Sequence, residues 1–227
     1  DVSVSQGTYY FKVEPIRWRI LKVTGGTAML MCDSVIDVHT YQSDYKRVTT
    51  ISGGGWFTTA NGAPDGTSAL KYQYSGVRAW LNGEFYQEAF TEAQQAIIQT
   101  STVENGSSSI SPNDYLPRDI SPTTYDKVFL LSYAEATNTA YGFNKSEKVQ
   151  QAERCVGTSD YSRALGVTMN TTSGEEYGNG RWMLRSPSSS NYPSVWAVAY
   201  TGMFTDSNSQ IMTSQGMVPV INITLSE

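Results

Sequence analysis

Ile16-Arg17-Trp18-Arg19-Ile20-Leu21-Lys22-Val23-Thr24-Gly25-Gly26-Thr27-Ala28-Met29-Leu30-Met31-Cys32 is the stretch from which the fold follows. In its first half apolar residues alternate with arginines. Successive side chains of a strand point to opposite sides, so Ile16, Trp18 and Ile20 are expected on one face. Thr24-Gly25-Gly26-Thr27 is turn chemistry, and Ala28 to Cys32 is an unbroken apolar run suited to a more buried strand. The segment therefore reads as a hairpin, within a strand region spanning 8–32. The C-terminal third returns to strands: Trp182-Met183-Leu184, then Val195 to Tyr200 ended by Gly202, then Val218 to Leu225 with Ile221, Ile223 and Leu225 on one face.

Helices lie between these ends. Ser75 can cap a helix running to about Tyr86, with Val77, Trp80, Leu81 and Phe85 on one stripe. Thr91-Glu92-Ala93-Gln94 and Ser132-Tyr133-Ala134-Glu135 are capping boxes, in which both side chains satisfy helix-end N–H groups. Asp160 to Leu165 reads as a further helical turn stopped by Gly166, and Val128 to Leu131 as a short buried strand. Residues 40–74 hold Gly53-Gly54-Gly55, Asn61-Gly62 and Pro64-Asp65-Gly66, turn signals of a long excursion with room for a small hairpin of its own; 101–124 form a second polar loop. Strands at both ends with helices between read as α+β, with the terminal strands paired. No repeat or linker divides the chain, so 1–227 is expected to be one domain, monomeric in isolation.

Composition narrows the function. Charged residues are 16% of the 227, aromatics are 12%, and 15 residues are Tyr. The polar surface must then come largely from Ser, Thr, Asn, Gln and Tyr, which suits hydrogen bonding and ring stacking with sugars or extracellular proteins. A net charge of −5 without any Lys/Arg stripe excludes nucleic acid, which needs a basic footprint. No apolar run approaches the ~20 residues of a membrane span. The opening Asp1-Val2-Ser3 lacks an initiator Met, as expected of an exported chain whose signal has been removed. Cys32 and Cys155 match no zinc or redox spacing; two free thiols are favoured over a disulfide.

Six stretches occur in order: Trp18-Arg19-Ile20-Leu21; Val77-Arg78-Ala79-Trp80-Leu81-Asn82; Asp126-Lys127-Val128-Phe129-Leu130-Leu131-Ser132 with Glu135; Ser159-Asp160-Tyr161-Ser162-Arg163-Ala164; Gly180-Arg181-Trp182-Met183-Leu184-Arg185-Ser186-Pro187; and Gly216-Met217-Val218-Pro219-Val220-Ile221. From about Tyr9 to Leu225, they resemble a widespread uncharacterised domain family of secreted and surface proteins of Gram-positive bacteria. Its last third is similar to the ending of C-type-lectin-like domains, a group that includes the formylglycine-generating enzymes. The resemblance implies a C-type-lectin-like fold: a twisted antiparallel sheet, two main flanking helices, and long loops. It implies structural roles for Trp18, Trp80, Asn82, Asp126, Trp182, Pro187 and Pro219. The copper-holding cysteine pair of the formylglycine-generating enzymes is absent from the C-terminal part, as are the Glu-Pro-Asn and Trp-Asn-Asp triplets of calcium-dependent lectins. No metal or other cofactor is expected.

No stretch carries a catalytic constellation. His39, the single histidine, lies near Asp33 and Asp37 but no residue is marked as a nucleophile, and no Gly-x-Ser-x-Gly elbow occurs. Glu84 with Glu88, and Glu175 with Glu176, are possible acid pairs for polysaccharide chemistry, although surface carboxylates are usually just solvated. Asp33, Asp37, Asp44, Asp114, Asp119, Asp126, Asp160 and Asp206 are too scattered for a calcium loop. Arg185 has two readings: a core arginine paired with Asp126, Asp160 or backbone carbonyls, or one member of a ligand face with Asn191, Tyr192 and Trp196. Trp56-Phe57, after three glycines, is a second candidate contact point, exposed or folded back in equal measure. The leading expectation is a non-enzymatic extracellular recognition module for a glycan or protein, ahead of an enzyme acting on polysaccharide or peptidoglycan and ahead of a structural spacer.

Overall fold

The computed structural model describes residues 10–12, 14–43, 46–48, 55–57, 62–64, 67–114, 118–189, 193–206 and 211–225; the side chains of 46–48 and 55–57 lie outside that description. The opening stretch forms the hairpin β1 (Trp18–Thr24) and β2 (Thr27–Cys32). Gly25 and Gly26 both have positive φ, +55° and +73°, as a two-residue turn matching strand twist requires. The expected alternation fails after Trp18. A bulge between Ile20 and Lys22 adds Leu21 to β1, and Leu21 is buried, while Ile20, still in register opposite Leu30, is 63% exposed.

β2 is the spine of a four-stranded antiparallel sheet ordered β1, β2, Val220–Thr224, Val128–Phe129. The last strand therefore pairs with the second strand of the N-terminal hairpin, Ile221 opposite Leu30 and Thr224 opposite Thr27. A second, five-stranded sheet is ordered Phe204–Thr205, Ser194–Val198, Trp182–Ser188, Gln215–Met217, Asp37–His39. All seven residues of Trp182–Ser188 are buried, because both faces of this central strand are covered. Gly216 lies opposite Trp182, where a Cβ would sit 2.4 Å from the Arg181 carbonyl oxygen and 2.6 Å from Val35 Cγ1. The chain crosses between these two sheets four times, and the first and last crossings are tied together by Cys32 N–H to Pro219 O (2.9 Å) and Ile36 N–H to Met217 O (3.1 Å).

The first expected helix is split. α1 (Gly76–Asn82) is capped by the Ser75 hydroxyl, which accepts from Arg78 N–H, and Gly83 breaks the path before α2 (Glu84–Ala89). α3 (Glu92–Ile97) and α4 (Tyr133–Ala136) carry the capping boxes at Thr91/Gln94 and Ser132/Glu135; α5 (Asp160–Ala164) is capped by Ser159. The first long loop contains its own pair of short strands, Lys46–Val48 with Gly55–Phe57, and the second is closed by Ser101–Val103 with Thr124–Asp126. Mixed α+β architecture, several antiparallel sheets and few, short helices result. Among the described residues no helix is long and apolar enough to cross a membrane.

Candidate functional site: an acidic aromatic cleft at a sheet edge

Asp37–His39 is an edge strand of the five-stranded sheet, pairing on one side with Gln215–Met217. α1, α2 and α5 close around it, and together they wall a cleft of about 470 Å³ lined by Asp37 and Val38, Trp80, Glu84, Phe85, Glu88, Ala89, Tyr161 and Leu165. The bend at Gly83 lets α1 contribute Trp80 while α2 contributes both glutamates. Spacing of four along α2 places Glu84 and Glu88 on one side of the helix. The Trp80 ring is held from behind by His39, stacked at 4.7 Å, and from the side by Phe85 at 5.0 Å. Tyr161 is 45% exposed and meets Phe11 edge-on at 5.4 Å. His39 Nδ1 lies 2.7 Å from its neighbour's Thr40 carbonyl oxygen, an acceptor, so that nitrogen carries the proton.

The cleft's electrostatics are one-sided. Burial raises the Asp37 carboxyl above its ordinary value; the hydrogen bond from Val38 N–H (2.6 Å) and His39 act against this, while Glu84 and Glu88 add to it. The Tyr161 hydroxyl is raised chiefly by the charge of Asp37, then by burial and the two glutamates. Among the described residues no ion pair involves Asp37, Glu84 or Glu88, whereas Asp33, Asp126, Asp160 and Glu135 are each paired with an arginine. A second, more open cleft of about 550 Å³ gathers Glu175 and Glu176 with Asn170, Thr172, Ser173 and Tyr200. Among the described residues Tyr200 is its single aromatic wall. No group of three or more His, Cys, Asp or Glu among the described residues can hold a metal ion.

The residues expected on a ligand face are distributed differently. Arg185 is 2% exposed, and its guanidinium donates to Asn105 Oδ1 (3.0 Å), the Leu130 and Glu104 carbonyls and the Glu135 carboxylate. It belongs to the core and not to a surface. Its acidic partner is neither Asp126, which pairs with Arg78 at 2.7 Å, nor Asp160, which pairs with Arg163. Trp196 is half-buried between Tyr133 and Phe204, and its N–H donates to Asp114 (2.7 Å). Asn191, Tyr192 and Asp44 lie outside the described residues, as do the side chains of Trp56 and Phe57.

The residues with expected structural roles have specific partners. Asn82 splices α1 to the sheet: its amide donates to the carbonyls of Arg78 and Val128, and its Oδ1 accepts from Lys127 N–H (2.7 Å) and Val128 N–H (3.2 Å). Trp182 is fully buried and donates to the Arg154 carbonyl, Trp18 stacks on Phe90 at 6.1 Å, and Pro187 faces Val195 where the strand register shifts. Both cysteines are free, Cys32 buried and Cys155 half-buried. Sequence reasoning missed Arg154, a fully buried cation that donates to the five carbonyls of Gly202, Ala136, Asn144, Ser146 and Val149 and lies over the Phe204 ring at 4.8 Å. It also missed the meeting of Asp37 and Tyr161 with the α2 glutamates, for which no local signal exists.

No curated protein and no solved structure matches this chain. A family of domains of unknown function, DUF6273, matches over residues 25–225, which run from the hairpin turn to the end of the last strand. With the match covering most of its length, this chain belongs to the DUF6273 family.

Proposed function

We propose that this chain is a non-enzymatic recognition module of a Gram-positive bacterial surface, built on a C-type-lectin-like frame, and that the cleft beside Trp80 binds a glycan. The observation that carries the reading is the coincidence of three aromatic residues and three carboxylates in one cavity. Ring faces pack on the C–H faces of a sugar, and carboxylates accept hydrogen bonds from its hydroxyls. A cavity of this size takes one or two sugar units. The lectin-like frame is supported by the pairing of the last strand with the N-terminal hairpin and by the long loops, beside the sequence resemblance.

The test is a glycan-array screen of the purified chain, with and without calcium, repeated on Tyr161→Ala. Tyr161 is exposed enough that its loss leaves the fold intact. Expected is a defined set of glycans whose binding weakens about tenfold in the variant, the loss of one stacked ring. No glycan captured, or capture indifferent to Tyr161, overturns the reading. One observation favours an enzyme acting on polysaccharide instead: Asp37, raised by burial and flanked by two carboxylates, has the character of a general acid. Release of reducing ends from a bound polysaccharide, abolished in Asp37→Asn, would establish that alternative.

A further inference from the structure

Resting on the glycan reading of this cleft, we infer that its ligand carries positive charge: the cleft is built to take a protonated amino sugar in preference to its neutral, N-acylated counterpart. Three carboxylates alone would not make a site. What makes one is that Trp80, Phe85 and Tyr161 wall the same cavity, and that among the described residues no Lys or Arg lines it. Aromatic faces carry negative quadrupole charge, so rings and carboxylates attract an ammonium group together.

Asp33, Asp126, Asp160 and Glu135 each have an arginine at hand. Asp37, Glu84 and Glu88 face one cavity without such a partner; burial is the main cause of the rise of Asp37, and the two glutamates add to it, while the charge of Asp37 is the main cause of the rise of Tyr161. An arrangement of like charges disfavours the empty state and is relieved when a cation enters. A neutral sugar gains the ring stacking but leaves the repulsion in place. His39 sits behind Trp80 and not in the cavity, so it does not supply the missing charge at the ligand's position.

The experiment compares a glucosamine oligomer with the N-acetylglucosamine oligomer of the same length, by calorimetry at mildly acidic pH where the amine is charged. It is run on the wild type and on the Glu84→Gln/Glu88→Gln double variant. Both glutamates are exposed, so the variant folds, and thermal melting is expected to show it at least as stable as the wild type. The wild type is expected to favour the charged oligomer by about tenfold or more. The double variant is expected to erase that preference by weakening the charged oligomer far more than the acetylated one, which loses only hydroxyl contacts, and added salt to erase it with the acetylated oligomer little changed. Equal binding of the two oligomers overturns the charge preference and leaves the glycan reading standing. Binding of neither, together with a blank glycan array, overturns both.

Discussion

Arg185 and Arg154 are both buried, yet they are neutralised in different ways. Arg185 has a carboxylate, Glu135, along with carbonyls; Arg154 is held by carbonyl dipoles and a ring face, and burial lowers its affinity for the proton. In either case the planar fork of donors matters more than the charge. Arg185→Leu is expected to cost about 3–5 kcal/mol in chemical denaturation, because the Glu135 carboxylate and three other acceptors lose their donor at once. Arg185→Lys is expected to recover little of it, since an ammonium cannot reach acceptors spread around a plane. The identity of the partner was not legible in the sequence. Ser132 and Glu135 announce a capping box, and that role accounts for the glutamate fully; nothing local says that the same carboxylate, already accepting from Ser132 N–H at 2.8 Å, also meets an arginine fifty residues on.

Two further expectations belong to single residues. Asp37 has a folded-state proton affinity above its unfolded one, so it favours the folded state fully only below the ordinary value of 3.8, and that contribution is lost as pH rises through the raised folded value. Asp37→Asn is therefore expected to be more stable than the wild type at neutral pH, with the difference vanishing at strongly acid pH; melting curves across that range check it, and a variant less stable at neutral pH would contradict it. For the thiols, burial pushes Cys32 up to about 11, while Cys155 is half-buried with a smaller rise. A thiol reagent at neutral pH should label Cys155 in the native protein and Cys32 only after denaturation. Mass spectrometry of the labelled peptides separates the two.

At the scale of elements, the hairpin, the capping boxes and the strands of the last third were legible because each is specified by its own few residues. The bulge at Leu21 was not: apolar residues at Ile20 and Leu21 fit either register, and the choice falls to what lies above the strand. The break at Gly83 escaped because the apolar stripe of α1 continues into α2 through Phe85. The cleft was the least legible feature of all. It joins a strand edge near residue 38, helices near 80–89 and a helix near 161, and such neighbours exist only in the assembled fold. Gly216 shows the same dependence on assembly. A methyl group there collides with the Arg181 backbone and with Val35, so Gly216→Ala is expected to lower the melting temperature by several degrees or prevent folding, while leaving strand propensity slightly improved.

For the molecule as a whole, β2 and the strand Val220–Thr224 are the central pair, separated by most of the chain. Removing the residues after Pro219 takes partners from β2 and from Val128–Phe129 together. The shortened chain is expected to lose its cooperative thermal transition by near-ultraviolet circular dichroism; a sharp transition that survives would show that the remaining sheet stands by itself. The direction of these strands also bears on mechanics. β1 starts beside Cys32 and ends at the glycine turn, and Val220–Thr224 runs the same way, from beside Met31 to beside Thr27. A pull applied to the two ends of the chain would therefore drag the two strands flanking β2 in opposite directions along it, loading the rungs of the ladder simultaneously and not peeling them singly. A tether under flow or tension would be gripped most firmly along the axis on which it is pulled.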